Sequence, residues 1–171
     1  MIRKLLLTGR PGCGKTTLIK RIVNKLALPA SGFYTEEIRE RGQRVGFKII
    51  TLDCKEAVFA HVHFKTPERL GKYGLNLSIL ETIAVATLRA AVPARQLVVI
   101  DEIGPMEIRS ALFRDAVNEV LDSGAPVLAT ITARSLPFTD AIKKRADISV
   151  IEVRPNNREQ LVSELSEQFM A

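Results

Sequence analysis

KLLLTGRPGCGKTTLIK, residues Lys4 to Lys20, is the stretch whose reading decides the fold. Within it Gly9 and Gly14 are separated by four residues, and Gly14 is followed at once by Lys15 and Thr16, the G-x-x-x-x-G-K-[ST] spacing of a phosphate-binding loop. The apolar run Leu5, Leu6, Leu7 before it reads as a buried strand, and Leu18, Ile19, Ile22, Val23 and Leu26 after it recur at helical spacing. The loop therefore joins a strand to the N-terminus of a helix. That context separates a phosphate loop from a glycine-rich turn that merely ends in a helix.

The residue types suit the chemistry. Glycines at 9, 12 and 14 let consecutive backbone amides turn inward and approach phosphate oxygens with no side chain between them. The free amides of the helix's first turn add donors and a partial positive charge. The phosphate-binding set is thus Gly9, Arg10, Pro11, Gly12, Cys13, Gly14, Lys15 and Thr16, in which Pro11 stiffens the loop and removes one donor. Lys15 can reach the β- and γ-phosphates as a mobile cation, and the Thr16 hydroxyl can coordinate magnesium.

A chain of 171 residues is enough for one domain with a real core, and residues 1–171 are read as one. With 46% hydrophobic and 26% charged residues its composition is that of a soluble globular protein. No apolar run approaches the length of a membrane span, and MIRKLLLTG leads straight into the phosphate loop, so the expectation is a cytoplasmic protein without membrane contact. Cys13 and Cys54 make no disulfide framework. Near a helix N-terminus Cys13 is either a redox-reactive thiol or a small loop residue, and the second is the simpler reading. The net charge of +6 is uneven: residues 1–50 hold 11 Lys or Arg against 3 acidic residues, and residues 101–171 hold 8 against 12. A basic first third around a phosphate site suits a polyanionic ligand. A sequence pI near 9.6 admits a weak nucleic-acid surface as well. With two Tyr and no Trp, base-stacking platforms are disfavoured.

Beyond Pro29 the pattern turns to β, with strands expected near 33–38 and 44–52, a turn at Arg41 and Gly42, and a third strand over 57–62. Short turns make these antiparallel, a meander at the edge of the main sheet. His61 and His63 alternate and so share a face, but no Cys or carboxylate at ligand spacing accompanies them. GKYGLN sets Lys72 and Tyr73 between two glycines, as fit for a surface connection as for a loop approaching a ligand. Leu77, Leu80, Ala84, Leu88 and Ala91 then mark a long helix capped by Asn76 and ended by Pro93.

QLVVIDE, Gln96 to Glu102, is the second chemical stretch. The apolar residues from Leu97 to Ile100 read as a strand buried on both faces, which delivers Asp101 and Glu102 to the C-terminal edge of the sheet, where α/β folds bind ligands. A hard cation between phosphates wants an oxygen ligand, so Asp101 is assigned to magnesium with Thr16. Glu102 is placed to hold and deprotonate an attacking water. The bland alternative for both is capping of the next helix.

An amphipathic helix capped by Ser110 follows, through Leu112, Phe113, Ala116, Val117, Val120 and Leu121. Pro126 to Ile131 is the next buried strand. Its Thr130 is either a hydrogen-bond donor to the γ-phosphate or the water, or simply a β-branched strand residue. Arg134 is either a charge stabiliser in cis or a solvated loop residue. A short helix at 138–145, a strand at 148–153 and a last helix opened by an Asn157/Gln160 capping box complete the chain. Asn156, Asn157 and Arg158 lie where a nucleotide base is expected.

GRPGCGKTT, GFYTEEIR with GFKIITL, GKYGLNL and IDEIGPMEIRS, in this order, resemble the small phosphate-loop nucleoside-triphosphatases first described from thermophiles, whose animal members are called cancer-related nucleoside-triphosphatase. The resemblance covers nearly the whole length. It implies a three-layer α/β P-loop NTPase fold of the RecA-like class, with an Asp-Glu pair at the second motif and a mainly parallel sheet flanked by the antiparallel meander. It further implies Mg2+-dependent hydrolysis of nucleoside triphosphates to diphosphates with little base preference. On this pattern Gly9 to Thr16 bind phosphate, Thr16 and Asp101 the metal, and Glu102 the water, with Lys15 and Glu102 catalytic. The chain departs from the pattern at Pro105, where the family carries a lysine, and at Cys13, which replaces an aliphatic residue. A small-molecule or nucleotide kinase and a nucleotide-dependent switch or RNA-binding module are the alternatives. The chain offers no compact arginine lid of the kind a kinase uses, and its oligomeric state is not legible.

Overall fold

A computed structural model describes residues 4–171. The chain runs β1 (Lys4–Thr8), α1 (Lys15–Leu26), β2 (Ala30–Glu40), β3 (Gln43–Thr51), β4 (Glu56–His61), β5 (Arg69–Leu70) and β6 (Tyr73–Leu75). One continuous helix follows, in which α2 (Leu77–Ile79) and α3 (Ala86–Ala94) flank a π-helical stretch (Leu80–Val85). Then come β7 (Leu97–Ile103), α4 (Ala111–Asp122), β8 (Val127–Ile131), α5 (Pro137–Lys143), β9 (Ser149–Glu152) and α6 (Arg158–Met170).

The strands form one sheet in the order β5-β6-β4-β3-β2-β7-β8-β1-β9. From β2 to β9 every pairing is parallel. β2 is the joint: Ala30–Phe33 pairs in parallel with β7, while Phe33–Glu40 pairs antiparallel with β3. The meander therefore extends the parallel sheet at its edge, as expected. β8 lies between β1, which leads into the phosphate loop, and β7, which carries Asp101 and Glu102. One strand interposed between the two motif-bearing strands is the RecA-like order.

Alternation along the strands builds the three layers. Leu5 and Leu7 of β1, Leu97 and Val99 of β7, and Leu128 of β8 pack under α1 and α6 against Leu18, Ile19, Ile22 and Leu165. Leu6, Val98, Ile100, Val127, Ala129 and Ile131 point the other way and pack under the central helix and α4 against Leu80, Leu88, Phe113 and Val117. Strands covered on both faces read as unbroken apolar runs, and each buried Leu, Ile or Val contributes about 1.5–3 kcal/mol. Packing of these central strands thus fixes their C-terminal edge as a rigid platform.

Several local expectations change. The polar stretch before Asn76 contains the hairpin β5–β6, with Arg69 opposite Gly74 and Leu70 opposite Tyr73; strands of two and three residues are too short to show alternation. Tyr73 is buried there, edge-on to Phe47 at 5.4 Å, with its hydroxyl accepting from Arg44 Nε at 3.0 Å, so it is spent in packing rather than offered to a ligand. The central helix is capped by Asn76 as expected but runs one residue past Pro93, closing where the Arg95 N–H donates to the Val92 carbonyl at 3.3 Å. This helix, Leu77–Ala94, has 18 residues and a mean hydropathy of 1.4, so by length and composition it does reach the size of a membrane span. Here Leu80, Ala84, Val85, Leu88 and Ala91 cover the sheet, the role of a core helix.

Candidate active site

The site begins where α1 starts. Gly14 precedes the helix at φ 93, in a region that L-residues avoid, and turns the chain so that the amides of the first turn face the loop. At Gly9 the Val153 carbonyl lies 2.7 Å from where a Cβ would stand, so only glycine lets β1 leave the sheet there. The Lys15 ammonium is folded over the loop and donates to the carbonyls of Gly9 at 3.0 Å and Arg10 at 3.1 Å. Cys13 is buried in the core under α1, with its Sγ 3.9 Å from the Lys15 Nζ. It is a packing residue of the loop.

Asp101 and Glu102 sit in a bulge. Ile100 pairs with Ala129 and Ile103 with Ile131, so two residues of β7 occupy the interval that β8 fills with Thr130 alone. The bulge re-aims both carboxylates. Asp101, 2% exposed, accepts from the Thr16 hydroxyl at 2.6 Å on one oxygen and from the Thr130 hydroxyl at 2.6 Å on the other. Its backbone carbonyl accepts from the Thr35 hydroxyl at 2.9 Å. Thr130 therefore orients Asp101, a role neither of its two sequence readings assigned. Thr35 was not anticipated at all, because its contact depends on β2 lying beside β7.

Three carboxyls share this edge, buried at Asp101 and Glu107 and half-buried at Glu102. Burial pushes the Asp101 pKa up, against the lowering effect of the two hydroxyls and of Lys15 and Lys20. Glu102, whose carboxylate lies against the α-carbon of Gly104, is raised by burial and then by the charge of Asp101, with Lys15 opposing. Glu107, 7% exposed on the 3-10 turn Glu107–Arg109, is raised well above the ordinary carboxylate range by burial and by the charge of Glu102. No periodicity singled out Glu107; its place in the IGPMEIRS block was the only signal.

Oxygen atoms from Thr16 and Asp101 meet as a hard donor pair that suits a small divalent cation. Among the described residues no group of three His, Cys, Asp or Glu side chains is placed to hold a metal alone. Mg2+ is commonly held by one or two protein oxygens together with water and phosphates, so the donor set fits it. His61 and His63 do share a face, with ring centroids 5.2 Å apart, and the His63 N–H donates to His61 Nδ1 at 3.1 Å.

At the other end of the loop, the Arg158 side chain covers Gly14, with its Cδ 3.0 Å from where a Cβ would stand. Arg158 is thereby brought to the phosphate loop. Asn157 does not cap α6: its backbone is already helical at φ −115, ψ −5, and its side chain turns back to accept from the Arg154 N–H at 2.8 Å and donate to the Glu152 carbonyl at 3.0 Å. N-capping needs an extended backbone at that position. Gln160, the other half of the expected capping box, bonds instead to Glu164. Arg134 faces a separate cleft with Pro105.

The chain matches the family model for NTPase over residues 4–166. It is 49% identical to nucleoside-triphosphatase THEP1 of Thermotoga sp. strain RQ2, over 95% of this chain and 92% of that protein. To the human cancer-related nucleoside-triphosphatase it is 36% identical, over 96% of this chain and 95% of that one. The crystal structure of THEP1 from Aquifex aeolicus superposes with a TM-score of 0.87 at 37% identity, covering 95% of this chain and 96% of that one. The solution structure of the human protein gives 0.83 at 36% identity, with 98% and 97% covered.

Proposed function

The chain belongs to this NTPase family and is a nucleoside-triphosphatase, and from that premise we propose that it hydrolyses the γ-phosphate of ATP, GTP and other nucleoside triphosphates, dependent on Mg2+ and with little preference among bases. The observation that carries the reading is the Thr16–Asp101 contact at 2.6 Å, which joins the phosphate loop to the strand end that also bears Glu102.

The loop amides and the first turn of α1 hold the phosphates, and Lys15 leaves the carbonyls of Gly9 and Arg10 for the β- and γ-phosphates. Thr16 and Asp101 would hold Mg2+, which would supply positive charge against that of the phosphates. Thr130 and Thr35 keep Asp101 in place from its side chain and its backbone. Glu102 accepts a proton from the attacking water. Burial raises its pKa, the direction that makes a carboxylate a more effective base. The Arg158 guanidinium, held over Gly14, is planar, and a base resting on it would be met alike whatever its identity, in keeping with weak discrimination.

The test is phosphate release from ATP, GTP, CTP and UTP, with Mg2+ and with EDTA, and with no acceptor other than water. Release from all four that stops in EDTA is expected. Transfer only when a second substrate is supplied would replace hydrolysis by the kinase reading.

A further inference from the structure

A cleft of about 520 Å3 opens beside the sheet edge, and its lining includes no residue of the phosphate loop and neither Asp101 nor Glu102. Three arginines from three separate segments converge on it: Arg109 after β7, Arg114 on α4 and Arg134 after β8. Only one carboxylate, Glu68, lines it, and that group is paired to Arg109 at 3.4 Å. Arg114 donates through one nitrogen to the Ile108 carbonyl at 2.6 Å, which holds its fork in place and leaves its other donors free. The Arg134 guanidinium has no hydrogen-bond or ion-pair partner among the described residues. Two cations are thus left uncompensated in one concavity.

The rest of the wall is apolar, made by Leu70, Ile108 and Leu136. The free guanidinium fork of Arg134 and the donors left on Arg114 select a planar or tetrahedral oxyanion of charge two, and apolar walls select an organic body attached to it. The volume suits a single small molecule. A nucleic-acid strand would call for a groove of cations that tracks its backbone, whereas these three converge. Pro105 in the wall is three residues beyond Glu102, and Arg134 is four beyond Thr130, so the cleft is built partly from the segments that follow the two strands bearing the site.

We propose that this arginine-lined cleft binds a small organic phosphate monoester, a second ligand distinct from the nucleoside triphosphate. Pro105, where relatives were expected to carry lysine, adds to the apolar wall and leaves recognition of the anion to the arginines.

The full chain, saturated with Mg2+ and a non-hydrolysable triphosphate analogue so that the phosphate loop is filled, is titrated calorimetrically with phenyl phosphate and with inorganic phosphate. One saturable site is expected with a Kd of about 1 mM or tighter. Phenyl phosphate should bind more tightly than inorganic phosphate, since its ring meets both apolar wall and guanidinium faces. Arg114→Gln and Arg134→Ala should each weaken it by about 10-fold or more, the worth of one charge-assisted hydrogen bond. Should Arg114→Gln fail to fold, Arg134→Ala carries the test alone, because its side chain makes no internal bond. No saturation by ~10 mM, or equal affinity in the folded variants, overturns the proposal. Tighter binding of a 5′-phosphorylated oligonucleotide than of phenyl phosphate also overturns it, in favour of nucleic acid.

Discussion

Thr16, in the first turn of α1, and Asp101, near the end of β7, are 85 residues apart in sequence and 2.6 Å apart in space. The other oxygen of the same carboxylate is held by Thr130 at 2.6 Å, so Asp101 is fixed between a residue of the phosphate loop and a residue of the intervening strand. Asp101→Asn should raise the Mg2+ concentration needed for half-maximal activity and weaken triphosphate binding together with turnover. Thr130→Val, nearly the same shape without the hydroxyl, should produce a milder form of the same defect, about 10- to 100-fold in metal affinity or activity. Mg2+ titration of hydrolysis in both variants is the check. A Thr130→Val enzyme with wild-type Mg2+ dependence would remove its orienting role.

Glu102→Gln keeps the size and still accepts a hydrogen bond from water, but it cannot take the proton. Hydrolysis in a single turnover should fall by about 10²- to 10⁴-fold, with Mg2+ and triphosphate affinity almost unchanged. Because burial raises the Glu102 pKa, wild-type kcat should climb with pH as this group loses its proton, over a higher range than for an exposed glutamate. That limb should vanish in the glutamine variant. Unchanged hydrolysis there would end the assignment of Glu102 as the base.

Lys15→Ala removes the mobile cation aimed at the β- and γ-phosphates, and both binding and turnover should collapse together. The variant is expected to fold, since the bonds lost in the free protein are to carbonyls of its own loop. Near-normal turnover in a folded Lys15→Ala protein would displace the site.

Glu107 is predicted to cost stability at neutral pH. Its folded pKa is raised by burial and by Glu102, so its contribution is fully present below the unfolded value of about 4.5 and is lost as pH rises through the folded value. Glu107→Gln should therefore stabilise the metal-free protein at pH 7–8 and change little near pH 4. Each 1 kcal/mol gained should raise Tm by about 2–4 °C in a chain of this size. Melting in EDTA at both pH values measures it; a loss of stability that is the same at pH 4 and pH 8 would show that the glutamate is held by something other than its protonation.

Specificity constants for ATP, GTP, CTP and UTP should lie within about a hundredfold of one another, as for a pocket without a dedicated polar reader. Arg158→Ala should raise KM for all four by a similar factor, about 2- to 30-fold for the loss of one stacked cation. Ratios between bases above ~10⁴ would require hydrogen-bond readout and would contradict this. A selective loss for one base in Arg158→Ala would instead identify Arg158 as that reader.

Whatever rests on local spacing or on period was legible in the chain. Gly9, Gly14, Lys15 and Thr16 stand at fixed separations, and the apolar residues before Asp101 announce a strand buried on both faces, so the loop, the layered α/β sheet and the edge position of Asp101 and Glu102 follow from sequence. Capping at Asn76 and Ser110 was equally readable, since it involves neighbours three residues on. The same local logic misled at Asn157, where the loop from Glu152 to Arg154 competes for the side chain that would have capped the helix.

Tertiary structure alone decided the contacts that depend on which strands are neighbours. The order β2-β7-β8-β1 places Thr35, Asp101, Thr130 and Thr16 around one point, and a bulge opposite Thr130 aims the acidic pair. Burial of Glu107 beside Glu102, the reach of Arg158 over Gly14, and the meeting of Arg109, Arg114 and Arg134 in one cleft are likewise joint products of packing. An unbroken apolar run specifies that a strand is covered on both faces, but it is the same for every central strand of this sheet. The pattern therefore determines that these strands stack in a core, while their lateral order, and with it the site, is set by the side-chain packing of the whole fold.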